Sequence, residues 1–369
     1  MGNHGDVIPV DSDITGPGGA NARASGTISA TGQLGLVARG QLPLGLLNGI
    51  LEPRRLTGLA DFDLTMRGPA ALGSLGGTIR TSGAALSLPT LGQAINDITG
   101  QITLANGRAS LALSGSTGQQ GTLATDGSIG LTAPYPADIR IGLQNILLRD
   151  PQLYETTLGG QIALTGPLAG GAQIGGTIDL GRTEVQVPST GVGALGDLPD
   201  VTHENADRAV GQTLARAGLT QNRNSAGSGQ SSGPSYGLDI TVRAGSRIFV
   251  RGRGLDAEMG GALTLGGTTA NVVPRGQFDL IRGRLDILQQ RFNLTEGQAN
   301  MQGGFVPYVK LLATTTADTG TLITIGVEGP ATEPEITFTS APELPQDEVL
   351  AQLIFGRNLQ SITPLQAIQ

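Results

Sequence analysis

Few side chains in this chain are equipped for chemistry. It has two histidines, His4 near the start and His203 in a polar stretch, no cysteine, and a single lysine, Lys310. No phosphate-binding Gly-Lys-Ser/Thr loop or HExxH pair occurs. Carboxylates recur at short spacings, as Asp61 and Asp63 or Asp279 and Asp286. On a strand, positions two apart share a face, and such carboxylates are far more often solvated than paired for acid–base work. Arg243, Arg247, Arg251 and Arg253 form a basic cluster that could meet phosphate or an acidic surface. Arg247 and Arg251 have the strand parity opposite to Ile248 and Val250, which gives them a solvent-facing, structural role. Arg282 and Arg284 flank Gly283, with Asp279 and Asp286 as candidate partners. These residues point away from an enzyme and call for no cofactor or metal.

What remains is apolar, and the question becomes which elements arrange it. The chain holds 59 Gly, 20 Pro, 14% charged residues and no Trp, with aromatics at 3%. Its mean hydropathy of +0.03 fits neither a charged disordered polymer nor a membrane bundle. Leu, Ile, Val and Ala supply most of the apolar surface, so bulky anchors for a thick core are scarce and a thin, extended β architecture fits better. A formal charge of −7 argues against nucleic acid as a partner. Lack of cysteine removes disulfides and thiolate metal sites without locating the protein. The start shows no basic and apolar leader, and no run approaches the ~18 apolar residues of a membrane span; the chain as it stands is read as having neither export signal nor anchor.

Three short phrases show how the apolar residues are organised: Phe278-Asp279-Leu280, Leu285-Asp286-Ile287 and Phe292-Asn293-Leu294, seven residues apart. Each is apolar, polar, apolar, which on a strand sends two side chains to one face. An odd spacing would flip that face in a continuous strand, so the phrases are expected on separate short strands, re-registered by bends at Gly283 and near Gln289-Gln290.

A larger repeat contains them. Phe62 to Thr65, Gly68-Pro69, Gly76 to Arg80 and Ala85 to Pro89 align with Gln161 to Thr165, Gly166-Pro167, Gly175 to Asp179 and Glu184 to Pro188. They align again with Ala262 to Leu265, Gly266-Gly267, Gly276 to Asp279 and Leu285 to Leu288, a period of about one hundred residues. Each copy reads as strand, glycine turn, strand, turn, strand. Modules of this kind cannot bury an apolar face alone, so they stack edge to edge into an elongated body. Between them the alternation continues, for example from Ile98 to Leu113 with a hairpin turn at Asn106-Gly107.

Two segments break the pattern. His203 to Ala217 has helical spacing and runs into a Gly/Ser-rich stretch from Asn222 to Ser235, read as an inserted surface helix and loop. Gln346 to Phe355 places Asp347 and Glu348 in a first helical turn, an apolar face of Val349, Leu350, Leu353 and Ile354, and Gly356 as a stop. Thr363-Pro364 then opens a further helix that ends after five residues, which reads as a truncated chain.

The order of motifs in the last third is specific. Arg247 to Glu258 (RIFVRGRGLDAE), Gly276 to Leu288 (GQFDLIRGRLDIL), Val306-Pro307-Tyr308, Ile323 to Ala331 (ITIGVEGPA), Pro334-Glu335-Ile336 and Pro342 to Arg357 (PELPQDEVLAQLIFGR) follow one another. This succession closely resembles the C-terminal region of the TamB family, strongly over 236–369 and more loosely over 24–200. The resemblance implies an all-β fold, an elongated curled sheet forming an open trough (the "β-taco") of repeated antiparallel strands, here with the inserted helix and loop and the C-terminal helix. It implies an organisation with a flexible lead-in over 1–23, a repeated β region over 24–200, the insertion over 201–235, a TamB-like trough over 236–341 and a helical segment over 342–369. It also implies the periplasm of a Gram-negative bacterium, inner-membrane anchoring in the full-length protein, an outer-membrane barrel of the TamA type as partner of that full-length protein, and roles with phospholipid and nascent outer-membrane proteins.

On this reading the trough is lined by Leu238, Ile240, Val242, Phe278, Leu280, Leu285, Ile287, Phe292, Leu294, Ile323, Ile325, Val327, Ile336 and Phe338, while Val349, Leu350, Leu353 and Ile354 face a partner. Alternation alone equally permits an ordinary sandwich whose two sheets interdigitate about 10 Å apart; the resemblance is what favours an open groove. A chaperone-like scaffold that pairs with nascent strands at its edges is the competing function. A β-helix enzyme or adhesin lacks acid clusters or calcium repeats here, and a membrane barrel lacks aromatic girdles.

Overall fold

The computed structural model describes residues 7–89, 92–118, 120–187, 234–287, 290–317 and 319–355. The expected helix at 203–217, most of the linker after it and the helix start at Thr363 lie outside these residues. Nineteen strands form one sheet. They are β1 (Val7–Thr15), β2 (Asn21–Ser29), β3 (Leu34–Pro43), β4 (Arg55–Thr57), β5 (Leu59–Gly68), β6 (Leu75–Leu88), β7 (Gln93–Ala105), β8 (Arg108–Thr117) and β9 (Gly121–Gly130). Next come β10 (Pro136–Asp150), β11 (Tyr154–Pro167), β12 (Gln173–Gln186), β13 (Gly237–Gly252), β14 (Leu255–Thr268) and β15 (Asn271–Ile287). The last are β16 (Gln290–Gln302), β17 (Tyr308–Thr316), β18 (Leu322–Pro330) and β19 (Glu335–Ala341). Helices α1 (Asn48–Leu51) and α2 (Gln346–Phe355) complete the described fold with three single turns of 3₁₀ helix.

Strands pair with their neighbours in sequence, β4 lying beside β5 along β6. All pairings are antiparallel except β12–β13, which is parallel. The sheet regions expected at 24–200 and 236–341 are therefore one sheet, joined through that pair. The sheet is unclosed, with β1 and β19 as its edges among the described residues. Val7–Thr15, expected within a flexible lead-in, is β1 and pairs along its whole length with β2; alternating Ile8, Val10 and the residues opposite them extend the ladder.

The sheet bends along a crease. Ladder register shifts between Thr81 and Ala84 of β6, Leu143 and Ile146 of β10, Thr156 and Leu158 of β11, Ala244 and Ile248 of β13, Glu258 and Met259 of β14, and Leu294 and Glu296 of β16. These irregularities lie side by side, since Ile146 faces Leu158, Leu158 faces Leu180 and Met259 faces Leu280. Bulges bend and twist the strand that carries them, so a row of them folds the whole sheet at one level. Burial concentrates there, at Ala84, Ile146, Thr156, Thr183, Ala244, Ile248, Met259 and Ala313. The two buried threonines satisfy each other, with Thr156 Oγ1 and Thr183 Oγ1 2.7 Å apart.

This corrects the repeat. In each copy the second "turn" is a crease bulge inside one long strand, near Gly83 in β6, Gly181 in β12 and Gly283 in β15. The first two of the three phrases likewise share β15 instead of occupying separate strands. The extra residue, Ile281, restores parity: it sits between the pairs Glu258–Arg282 and Met259–Leu280, so Leu280 and Leu285 reach the same cluster despite their odd spacing.

Some inward positions admit only glycine. Gly127 has φ +143°, and a Cβ there would fall 2.2 Å from the Asp138 carbonyl oxygen and 2.7 Å from the Ile139 Cα. Gly127→Val is expected to cost about 1–3 kcal/mol or more through backbone strain, read as a lowered urea midpoint, whereas Ser128→Val on the polar face of the same strand should change it little.

Candidate functional site: an apolar groove with an open and a filled part

One face of the folded sheet is apolar from end to end. Cross-strand register places Phe62, Ile79, Ile102, Leu111, Gly127, Ile139, Leu164, Ile174 and Leu238 in a single row across β5 to β13. A second row runs through Leu113, Thr125, Ile141, Ile162, Gly176, Ile240 and Leu265. Directly opposed residues of neighbouring strands point to one face, so these rows line the inside of the bend. Glycine interrupts both rows, which keeps the wall shallow where the strands approach.

Burial divides the groove into two parts. The aliphatic side chains of the first row are half-buried, although they stand on the apolar face. In a closed sandwich the facing sheet would bury them fully; along β5 to β12 they keep partial exposure. The largest fully buried side chains, Phe292, Ile323, Ile325, Val349 and Pro274, all lie in β15 to α2. There Phe292, Leu294, Ala313, Ile323 and Ile325 form one cluster with Ala257 of β14 and with Val349 and Leu353 of α2, and Leu255, Leu280, Leu285, Ile287, Val327 and Phe338 pack against it. A second cluster of Ala244, Ile248 and Met259, with Phe278 against it, continues the same face along the crease.

The residues expected to line the trough can now be placed. Leu238, Ile240 and Val242 alternate on β13, facing Ile174, Gly176 and Ile178, with Ile240 at 9% exposure and its neighbours half-buried. Phe278, Leu280, Leu285, Ile287, Phe292, Leu294, Ile323, Ile325, Val327 and Phe338 sit in or against the two clusters. Ile336 pairs with Val327 at the edge strand and is 52% exposed, so it marks the rim and not the floor. Sequence reasoning missed the half of the groove on β5 to β12, although the same alternation runs through it.

The helix requires a correction. Val349, Leu350, Leu353 and Ile354 were expected to face a partner, but Val349 is 0% and Leu353 2% exposed, both inside the cluster formed by the sheet's own Phe292, Ile323 and Ile325. Leu350 is half-buried, and the Ile354 side chain lies outside the described residues. The reason is that the apolar wall opposite α2 offers a larger dry surface than solvent or rim.

The opposite face is polar and internally paired. Arg182 and Arg251 reach Glu184 at 2.6 Å each, Arg251 and Arg284 share Asp256 at 3.2 Å, and Arg291 meets Asp286 at 2.9 Å. The guanidinium groups of Arg182 and Arg251 both lie over the Phe249 ring, at 4.8 and 5.3 Å. Arg282 meets Glu258 at 2.6 Å, while Asp279 accepts from the Gln277 amide. Arg243 and Arg247 are exposed. Asp63 pairs with Arg39 at 3.0 Å, and Asp61 accepts from Gln41 at 3.0 Å, so these carboxylates act as separate surface links. The Tyr308 hydroxyl donates to Glu328 at 3.1 Å, and that bond, with the nearby charges of Glu328 and Glu335, holds the phenol above its ordinary range. Among the described residues no group of three His, Cys, Asp or Glu is arranged to hold a metal. No described helix is long and apolar enough to cross a membrane, which says nothing of membrane strands.

Residues 108–369 match the model of the TamB C-terminal domain. Over 135 residues the chain is 30% identical to the translocation and assembly module subunit TamB of Haemophilus influenzae, a match covering 35% of this chain and 10% of that relative.

Proposed function

Because the chain belongs to the TamB C-terminal domain family, we propose that it is a periplasmic segment of an envelope protein whose groove conducts phospholipid, without catalysis, between inner and outer membrane. In the full-length protein this conduit supports outer-membrane protein assembly and autotransporter secretion, alongside an outer-membrane barrel of the TamA type. The observation that carries this reading is the half-buried aliphatic row from Phe62 to Leu238, an apolar surface that the fold neither packs nor exposes fully. At ~0.8 kcal/mol per methylene, an acyl chain of about sixteen carbons costs more than ten kcal/mol to leave in water. A continuous aliphatic wall removes that cost and provides no preferred stopping point, while headgroups stay hydrated at the open seam.

The competing reading is a scaffold that accepts nascent strands at β1 and β19, the sheet edges among the described residues. Photoreactive side chains separate the two. A benzophenone residue at Ile141, inside the groove, is expected to yield phospholipid adducts in cells, and one at Gln161, on the outer face of the neighbouring strand, is not. Protein adducts at β19 with none of lipid at Ile141 would favour the scaffold.

A further inference from the structure

We infer that α2 is a releasable stop for the groove, which keeps acyl chains off the wall of β16 to β18 and sends lipid out through the seam before that point. This rests on the conduit reading above. The evidence is how α2 is held. A helix lying on a protein surface buries a stripe somewhat over 100° wide. In α2, Val349, Ala351, Gln352 and Leu353 are all buried, and at ~100° per residue they cover an arc of about 200°. Leu350, near the middle of the remaining arc, is half-buried. The helix is therefore held on more than its sheet-facing stripe, with Val349 and Leu353 on the apolar wall and Gln352 tied to Thr319.

The place it fills is the continuation of the groove. Phe292, Ile323 and Ile325 belong to the same apolar face as the half-buried rows upstream, and they are dry because Val349 and Leu353 cover them. An acyl chain and α2 cannot occupy that wall together. The attachment also has a polar element: Thr319 Oγ1 donates to the buried Gln352 Oε1 at 2.9 Å. Leucine at position 352 would seal an aliphatic trough better than glutamine, whereas a hydrogen bond fixes a helix in one seat and exchanges readily for water on departure. The approach is a single strap, Pro342 to Pro345, tied by the Leu344 N–H to Ser340 Oγ at 3.0 Å.

The absence of native cysteine makes the test direct. The full chain carries a benzophenone residue at Ile141 or at Val327 and is exposed to vesicles of phosphatidylethanolamine and phosphatidylglycerol. Ile141 should take lipid in every form of the protein. At Val327 the unmodified chain should give little lipid adduct. Val349→Glu with Leu353→Glu should raise it about tenfold, the shift expected when an occluding state is displaced. In a second variant, Thr319→Cys with Gln352→Cys, a short reducible bis-maleimide should hold the Val327 yield at its minimum even if the glutamate pair fails to fold, and reduction should raise it. Equal lipid yield at Val327 with the linker closed and reduced overturns the stop. Lack of lipid at Ile141 overturns the conduit reading itself, and the stop with it.

Discussion

Ile141→Asp is expected to cut phospholipid capture by more than tenfold while leaving the strand content of the protein unchanged. Ile141 stands on β10 in a row with Ile162 of β11 and Thr125 of β9, half-buried in the open part of the groove. A carboxylate there remains hydrated in the empty groove, so the folded state loses little. If the groove conducts lipid as proposed, each acyl chain moving past must strip that hydration, and burying an unpaired charge costs several kcal/mol, enough for a tenfold effect at 1.4 kcal/mol per decade. Gln161→Asp supplies the control: it adds the same charge on the neighbouring strand, beside the Ile162 that faces Ile141, but on the polar face, and should leave capture intact. Mass spectrometry of lipid carried by each purified variant measures the difference. Equal lipid in both variants would rule out the groove as the path.

Phe292→Ala is expected to produce the largest loss of stability, about 3–5 kcal/mol. Phe292 is 0% exposed, lies opposite Leu285 and sits at the centre of the cluster beneath α2. Its removal leaves a cavity that a curved sheet and a short helix cannot both close. The measurement is urea unfolding followed by far-ultraviolet circular dichroism, because the chain has no tryptophan to report by fluorescence. Ile141→Ala is the comparison. That side chain is only partly buried, so its loss should cost less, about 1–2 kcal/mol, and comparable shifts from the two variants would contradict the division of the groove into open and filled parts.

Much of this architecture is written locally in the chain. The hairpin at Asn106-Gly107 joins β7 to β8 as read, with φ of 52° and 69° at its two central residues, because the strand twist selects such a turn. Helix α2 begins at Gln346 with Asp347 and Glu348 in its first turn, as its composition indicates. The crease was hidden for a physical reason: a bulge and a turn both favour glycine and both interrupt alternation, so Gly283 signals either. The difference lies in whether the strand resumes beside the same neighbour, as β15 does beside β14, and that is a non-local fact. The seat of α2 was hidden for a related reason. Periodicity marks Val349 and Leu353 as apolar, but which wall receives them depends on the curvature of strands that begin almost a hundred residues earlier. The open groove is the extreme case, since Ile139 and Ile323 have similar neighbours in sequence, yet Ile139 keeps partial exposure in the fold and Ile323 has none.

The order of strands has a consequence of its own. Because almost every strand lies beside its neighbour in sequence and the sheet never closes, distance along the molecule is counted in strands, at about 4.8 Å each. A hairpin inserted or lost changes the reach by roughly 10 Å and disturbs only the two ladders it touches. A body built this way can be lengthened one hairpin at a time while the ladders elsewhere in the sheet keep their register.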